Sequence, residues 1–367
     1  MRNVREIYME AGNANANLAE RKPTPRQGGY RMPAEWEPHE ATWLAWPHDP
    51  EVWSDQLEGV KDVCVAVARV VSQGENVRLL VNDAAAEEEA FAKLRASGAD
   101  MGRLRFEKIA TVDVWIRDYG PTFVTSRQGK NRLAANKWRF NAWGEKYDSH
   151  LKDDEVGRAI TGLLGVPVFE PGLVFEGGSL EVNGRGTCLL TEQCLLNANR
   201  NPLLGRWDIE RVLGEHLAVD QFIWLPEGLD GDDTDGHIDN LARFVNPTTI
   251  VCVLETDPGD GNYAALQANH RCLEGASDRE GKKFTIVPIP QPGRVDYGGT
   301  RLPASYANFY ITNAAVLVPL YHHPNDRRVF EILESFFPGR KVVGIPCGPL
   351  LVGLGAIHCM TQQEPAP

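Results

Sequence analysis

Apolar and polar residues alternate with two periods along this chain. In "LEGVKDVCVAVARVVSQG" the apolar positions recur at helical spacing, which predicts an amphipathic helix from about Leu57 to Ser72, stopped near Gly74. "NVRLLVN" then reads as a strand and "AAAEEEAFAKLRASG" as a second helix. "DEVGRAITGLLG", "WDIERVLGEHLA" and "DRRVFEILESFFPG" carry the same helical stripe. Between the helices lie short alternating or β-branched runs that pair into hairpins. Their predicted turns fall near Gly129, across Asn183-Gly184, at Asn246-Pro247 and near Asn313.

These units recur. Asp118, Gly177, His237, Asn308 and Cys359 sit at the ends of comparable strands, 51 to 71 residues apart. That spacing predicts a radial set of β-β-α units around a central cavity, which would gather residues distant in sequence. A doubly wound parallel sheet fits less well, because hairpins are too frequent and neither a G-x-G-x-x-G after a strand nor a Walker A sequence is present. Residues 1–31 are polar and Asn-rich, and the folded pattern starts near Met32. The reading is an N-terminal extension (1–31) followed by one catalytic domain (32–367).

Composition narrows the partners. Lys plus Arg number 38 and Asp plus Glu 50, a formal net charge of -12. Such a surface repels nucleic acid and anionic membranes and attracts cations. No apolar run approaches the ~18 residues of a membrane span, and the first residues lack the apolar core of a signal peptide. The seven cysteines are widely spaced without a C-x-x-C, so reduced thiols in a cytoplasmic protein are expected and a structural zinc site has little support. A homo-oligomer is left open.

Several residues could carry chemistry. His237 and Asp239 are two apart, which on a strand places both on one face. They could equally be a structural histidine–acid pair. Asp232, Asp233 and Asp235 crowd the same stretch, and crowded anions call for a positive partner. Asp118 follows Arg117 in "TVDVWIRDYGPTF" and is either a pocket carboxylate or a turn cap, with Trp115 a pocket wall or core. Glu176 precedes two glycines and is either functional or solvated. Cys359 ends a glycine-broken apolar run as nucleophile or buried thiol, and His358 beside it reads as structural.

A thiolate, a histidine and several carboxylates suggest nucleophilic attack on a planar cation. A guanidinium presents N–H donors in a rigid fork, and a carboxylate accepts two in parallel. Asp118 and Asp239 could hold such a group while Cys359 attacks it. A metal-dependent hydrolase built on His237 and Asp239 lacks a convincing third ligand.

"MPAEWEPHEATWLAWPHD", "WIRDYGPTF", "FNAWGEKYDSHLKDD", "FEGGSLEVNGRGTCLLTEQCLLNANRNP", "TDGHIDNLARF", "YANFYITNAAVLVPLYHHPND" and "GAIHCMTQQEP" cover most of Met32 to Pro365. In this order they resemble the agmatine deiminases of the Porphyromonas-type peptidyl-arginine deiminase family. The resemblance implies an α/β fold, a five-bladed α/β propeller of ββαβ-type units around a central active-site cavity. It implies Cys359 as nucleophile, His237 as general acid and base, and Asp118 and Asp239 as guanidinium-binding carboxylates. It places Trp115, Glu176 and Asp233 in the substrate site, with Asp233 near the distal amine. The implied reaction converts agmatine to N-carbamoylputrescine and ammonia without a metal or organic cofactor. Asp235 before Gly236-His237, Leu354, Ala356 and Asp233 depart from the common pattern. Peptidyl arginine or another guanidino compound stays open as substrate, followed by amidino transfer and by a non-enzymatic partner-binding role.

Overall fold

The computed structural model describes residues 23–367. Most of the predicted extension, residues 1–22, lies outside the described residues. The segment that follows is anchored: the Arg26 N–H donates to the Glu215 carbonyl at 3.0 Å, and its guanidinium pairs with Asp220.

Helices Leu57–Val71, Ala84–Ser97, Val156–Leu164, Arg206–Leu217 and Asn325–Phe336 lie where the apolar spacing predicts them. Leu57–Val71 buries Val60, Val63, Cys64, Val67 and Val71, one face of a helix with ~3.6 residues per turn. Ala84–Ser97 starts at Asp83, whose carboxylate accepts the Ala86 N–H at 2.8 Å, and stops at left-handed Gly98. A further helix, Tyr263–Gly275, is absent from the sequence reading. Its buried face is Ala265, Leu266, Asn269 and Leu273, so an asparagine and an alanine thin the apolar stripe.

The predicted hairpins form. Thr122–Ser126 pairs antiparallel with Leu133–Asn136, Glu181–Val182 with Thr187–Thr191, Ala242–Asn246 with Thr249–Leu254, and Tyr310–Ile311 with Ala315–Leu320. Each second strand then pairs in parallel with a strand beyond the next helix: Val168–Phe169, Gln221–Leu225, Thr285–Pro290 and Lys341–Pro346. Another sheet joins distant parts of the chain. Gln362–Pro365 runs antiparallel to His39–Ala45, which pairs in parallel with Asn76–Leu80, and that strand with Leu104–Glu107.

This pairing corrects the expected five-bladed propeller. The described strands form six separate open sheets of two to four strands, five of them mixed in direction, and none closes or curls into a barrel. The extra sheet is the hairpin Val295–Tyr297 with Thr300–Leu302, and Tyr30–Arg31 adds an edge strand to Thr122–Ser126. Hairpin spacing reports which strands are neighbours. It carries no information on how many sheets form or how they stand to one another.

The recurrence does have a structural basis. Asp118, Gly177, His237, Asn308 and Cys359 each lie two to five residues ahead of the first strand of an antiparallel pair. Trp43, Leu79, Trp115, Ile357 and Cys359 belong to one buried apolar cluster.

Leu79 is fully buried in a central strand, so Leu79→Ala is expected to cost about 2–5 kcal/mol of stability. Asp83→Ala removes only the helix cap and is expected to cost about 1 kcal/mol. Equilibrium unfolding in urea would read both.

Candidate active site

The site is assembled from turns that touch one another. The Arg117 N–H donates to the Cys359 carbonyl at 3.2 Å, and the Arg117 side chain reaches the His358 carbonyl at 3.3 Å and Gln363 at 2.7 Å. Two glycines admit the next turn. A Cβ at Gly177 would lie 2.1 Å from the Arg117 carbonyl oxygen, and one at Gly178 would lie 2.5 Å from His237 Nδ1. No larger residue fits between these groups.

Four residues converge there. Asp118 Oδ1 accepts the Gly178 N–H at 3.1 Å, and Oδ2 accepts the Trp143 indole N–H at 2.9 Å. His237 Nδ1 stands 3.7 Å from Asp118 Oδ1. Asp239 Oδ2 faces His358 Nδ1 at 2.7 Å and the Cys359 sulfur at 3.6 Å. Asn308 holds the cysteine from both sides. Its Nδ2 donates to the sulfur at 3.1 Å, and its Oδ1 accepts the His358 and Cys359 N–H groups at 2.9 and 3.3 Å. Buried and unpartnered atoms remain: both ring nitrogens of His237 and Oδ1 of Asp239.

A cavity of about 190 Å³ opens above them. Trp115, Asp118, Trp143, Tyr147, Asp233 and Cys359 line it. Trp115 packs on Trp53 with ring centroids 5.8 Å apart. A Cβ at Gly355 would lie 2.4 Å from the Trp115 ring, so the glycine-broken run before Cys359 makes room for this indole. Asp233 stands at the rim with Tyr147, which donates to its carboxylate, and Lys146, 3.5 Å away. Glu176 does not line the cavity. It is fully buried behind it, with Oε1 accepting from Arg200 Nε at 2.6 Å and Oε2 unpartnered.

The local geometry corrects parts of the sequence reading. Asp118 lies in the short helix Ile116–Tyr119, and His237 precedes the helical turn Ile238–Asn240, so strand-face reasoning applies to neither. The acidic stretch finds its cations within the protein. Asp235 meets Lys146 at 2.9 Å and Arg200 at 2.8 Å. His358 is turned from the cavity, with Nε2 2.8 Å from Glu35. Glu35, Trp143, Arg200 and Arg243 went unnoticed in the sequence. Buried charge in apolar stretches was the available signal for Glu35, in "MPAEWEP", and for Arg243, in "LARFV".

Burial and charge set the protonation. Burial, the negative charge of Asp239 and that of Glu176 push the Asp118 carboxyl well above the usual range. Burial also works to raise Asp239, but the hydrogen bond and charge of His358 bring it below its ordinary value. Burial lowers His237 to about 3, so the ring is neutral near pH 7. Burial, Asp239 and Asp118 together push the Cys359 thiol well up. The free site therefore holds a neutral thiol and a neutral imidazole. Among the described residues one group has ligand atoms close enough to share a metal ion: Glu176, Cys194 and His237.

A raised thiol reacts slowly, because the thiolate is the nucleophile. Alkylation of Cys359 by iodoacetamide, followed by mass spectrometry, is expected to be slow at pH 7 and to accelerate through and beyond pH 9. A rate that levels off below pH 8 would contradict the geometry.

The profile of the family described as Porphyromonas-type peptidyl-arginine deiminase matches residues 31–365. The agmatine deiminase of Ectopseudomonas mendocina (strain ymp) is 41% identical over 368 residues, covering 94% of this chain and 98% of that protein. That of Stutzerimonas stutzeri (strain A1501) is 42% identical over 367 residues with the same coverage. Among solved structures, the agmatine deiminase of Enterococcus faecalis superposes with a TM-score of 0.84 at 33% identity, over 94% of this chain and 98% of that one. A cysteine-to-serine agmatine deiminase of C. jejuni with substrate bound gives 0.82 at 33% identity, over 91% and 96%. With a match along nearly the whole described chain, this protein belongs to the Porphyromonas-type peptidyl-arginine deiminase family.

Proposed function

We propose that this protein is an agmatine deiminase: it hydrolyses agmatine to N-carbamoylputrescine and ammonia through a thiouronium-like adduct on Cys359. The observation that carries the reading is Cys359 on the wall of a small cavity, its sulfur 3.6 Å from Asp239 in a site that also holds Asp118. The named relatives, matched over nearly their whole length, support the same activity.

The chemistry follows from the charges. A guanidinium entering between Asp118 and Asp239 supplies the positive charge that Asp118 lacks. Its charge lowers the cost of forming the Cys359 thiolate, and His237 takes up the thiol proton. The sulfur bonds to the guanidinium carbon, and the C=N electron pair moves to nitrogen. Asp118 and Asp239 hold the nitrogens of the resulting tetrahedral species, where their stabilisation accelerates the step. His237 returns the proton to the departing nitrogen, and ammonia leaves. Water then adds to the amidinium carbon while His237 takes its proton. The C–S bond breaks, and the ureido product departs from the regenerated thiolate. No step calls for a cofactor.

Selectivity follows from size and sign. The cavity, about 190 Å³, is smaller than the ~300–1,000 Å³ of sites for drug-sized ligands, which favours a free small cation over an arginine held in a peptide. Asp233 at the rim favours a distal ammonium and disfavours the α-carboxylate of free arginine. Trp115 and Trp143 wall the intervening chain. Glu176 acts from behind, fixing Arg200 and Asp235 beneath the turn that carries His237. The departures at Asp233, Asp235, Leu354 and Ala356 replace neither Cys359 nor His237, and they bear on the choice of guanidino substrate. We take residues 32–367 as one catalytic unit acting in the cytoplasm on a small metabolite, apart from nucleic acid and membranes. No helix among the described residues is long and apolar enough to cross a membrane.

Mass spectrometry and ammonia release would test this with agmatine, arginine and a blocked arginyl peptide. Agmatine should gain one mass unit with release of ammonia, and the other two should stay unconverted. Conversion of the peptide alone would overturn the substrate. Transfer of the amidino group to an added amine would overturn the hydrolysis. Cys359→Ala should abolish turnover, and His237→Asn should lower kcat by about 10²–10⁴-fold. Asp233→Asn should raise the KM for agmatine with a smaller change in kcat.

A further inference from the structure

His237 has two sets of neighbours. Asp118 Oδ1 stands 3.7 Å from its Nδ1. Glu176 and Cys194 form the other set, and one ligand atom of each lies within 4.8 Å of the other and of a His237 ring nitrogen. All three residues are buried. Their free atoms point to a missing partner: both His237 ring nitrogens and Glu176 Oε2 have no hydrogen bond. Buried polar atoms without partners are rare, because each forfeits its interaction with water.

We propose that Glu176, Cys194 and His237 form an inhibitory site for a thiophilic divalent cation, with zinc the best match. One sulfur, one imidazole nitrogen and one carboxylate oxygen are the donor types zinc takes in tetrahedral sites. With bonds of ~2.0–2.3 Å, tetrahedral ligand atoms stand roughly 3.5 Å apart, so each pair of groups closes in by about 1.3 Å at most. A fourth position is left for water.

The surroundings suit a cation. Arg200 is the nearby positive charge, and it is already matched by Glu176 Oε1 at 2.6 Å and Asp235 at 2.8 Å. The same arginine fixes the Glu176 carboxylate and leaves Oε2 to the metal, an outer-shell role. The Asp118 carboxyl lies 3.7 Å from His237 Nδ1. The imidazole is already neutral, so only the Cys194 thiol must ionise. Its S–H bond breaks, a metal–sulfur bond forms, and the proton passes to solvent. Zinc uptake therefore strengthens as pH rises.

The consequence for activity rests on the deiminase reading, because the metal occupies the imidazole that must carry protons to and from Cys359. The binding itself does not rest on it. The metal competes with the reaction and takes no part in it.

Cobalt(II) reports binding without an activity assay, since a cobalt–thiolate bond absorbs in the near ultraviolet. The full chain and its Cys359→Ala variant, stripped with a chelator, should both show this band at one equivalent. Cys194→Ala should lose it. A band kept by Cys194→Ala and lost by Cys359→Ala would overturn the proposal in favour of metal on the nucleophile. No band in any of the three would overturn it outright. In parallel, zinc should inhibit agmatine turnover, and Cys194→Ala should need at least ten times more zinc for the same inhibition. Equal sensitivity would overturn the inference. Cys194→Ser, closer in shape and a poor zinc ligand, repeats both measurements should the alanine variant fold badly.

Discussion

The structure depends on keeping buried carboxylates paired. Glu181 meets Arg243 at 2.8 Å, and Arg243 meets Glu35 at 2.8 Å. Glu35 faces His358, which faces Asp239, which faces the Cys359 sulfur. Each link is almost wholly withdrawn from water. An isolated ion there would cost several kcal/mol, so loss of any member strands its neighbour. The chain of contacts links the turn at Glu35, the hairpins that carry Glu181 and Arg243, and the turn ahead of the final strand. The fold is therefore tied together by the same charges that shape the cavity.

The two carboxylates nearest Cys359 are treated in opposite ways. Asp239 has His358 at one oxygen and sits below its ordinary pKa, while Asp118 has only an indole and a backbone N–H and is raised by burial. Environments that drive two like groups apart are how one site divides roles. Asp118 is left short of positive charge until a cation arrives. A neutral thiol and a neutral imidazole wait on the same event. A guanidinium held between the two carboxylates supplies that charge and favours the thiolate.

Much of this was legible in the sequence because it is local. Apolar spacing located five helices, and Asn183-Gly184 and Asn246-Pro247 marked two of the hairpin turns. Tyr263–Gly275 was missed because Asn269 occupies a buried position that pattern reading counts as polar. Asp118 and Asp239 were named as site candidates, but on strands. Their turns are set by contacts between distant segments, such as Arg117 to Cys359 and Gly178 to Asp118. Such contacts leave no periodic trace. The same limit hid how the sheets are grouped. Glu35 and Arg243 were invisible as partners because 208 residues separate them. The acids at 232–235 did signal a need for positive charge, and Lys146 and Arg200 meet much of it from inside the protein.

Gln362–Pro365 completes its sheet against His39–Ala45, some 320 residues earlier, and Cys359 lies just ahead of that strand. On the ribosome, His39–Ala45 must therefore wait with one edge open until residues beyond 362 emerge. Such an edge is a ready template for the wrong partner. The opposite edge is covered sooner, by the parallel strand Asn76–Leu80, while this edge stays unpaired. A chain released before residue 359 lacks both the closing strand and the sulfur. Synthesis errors of this kind yield protein that is inert as well as unfinished.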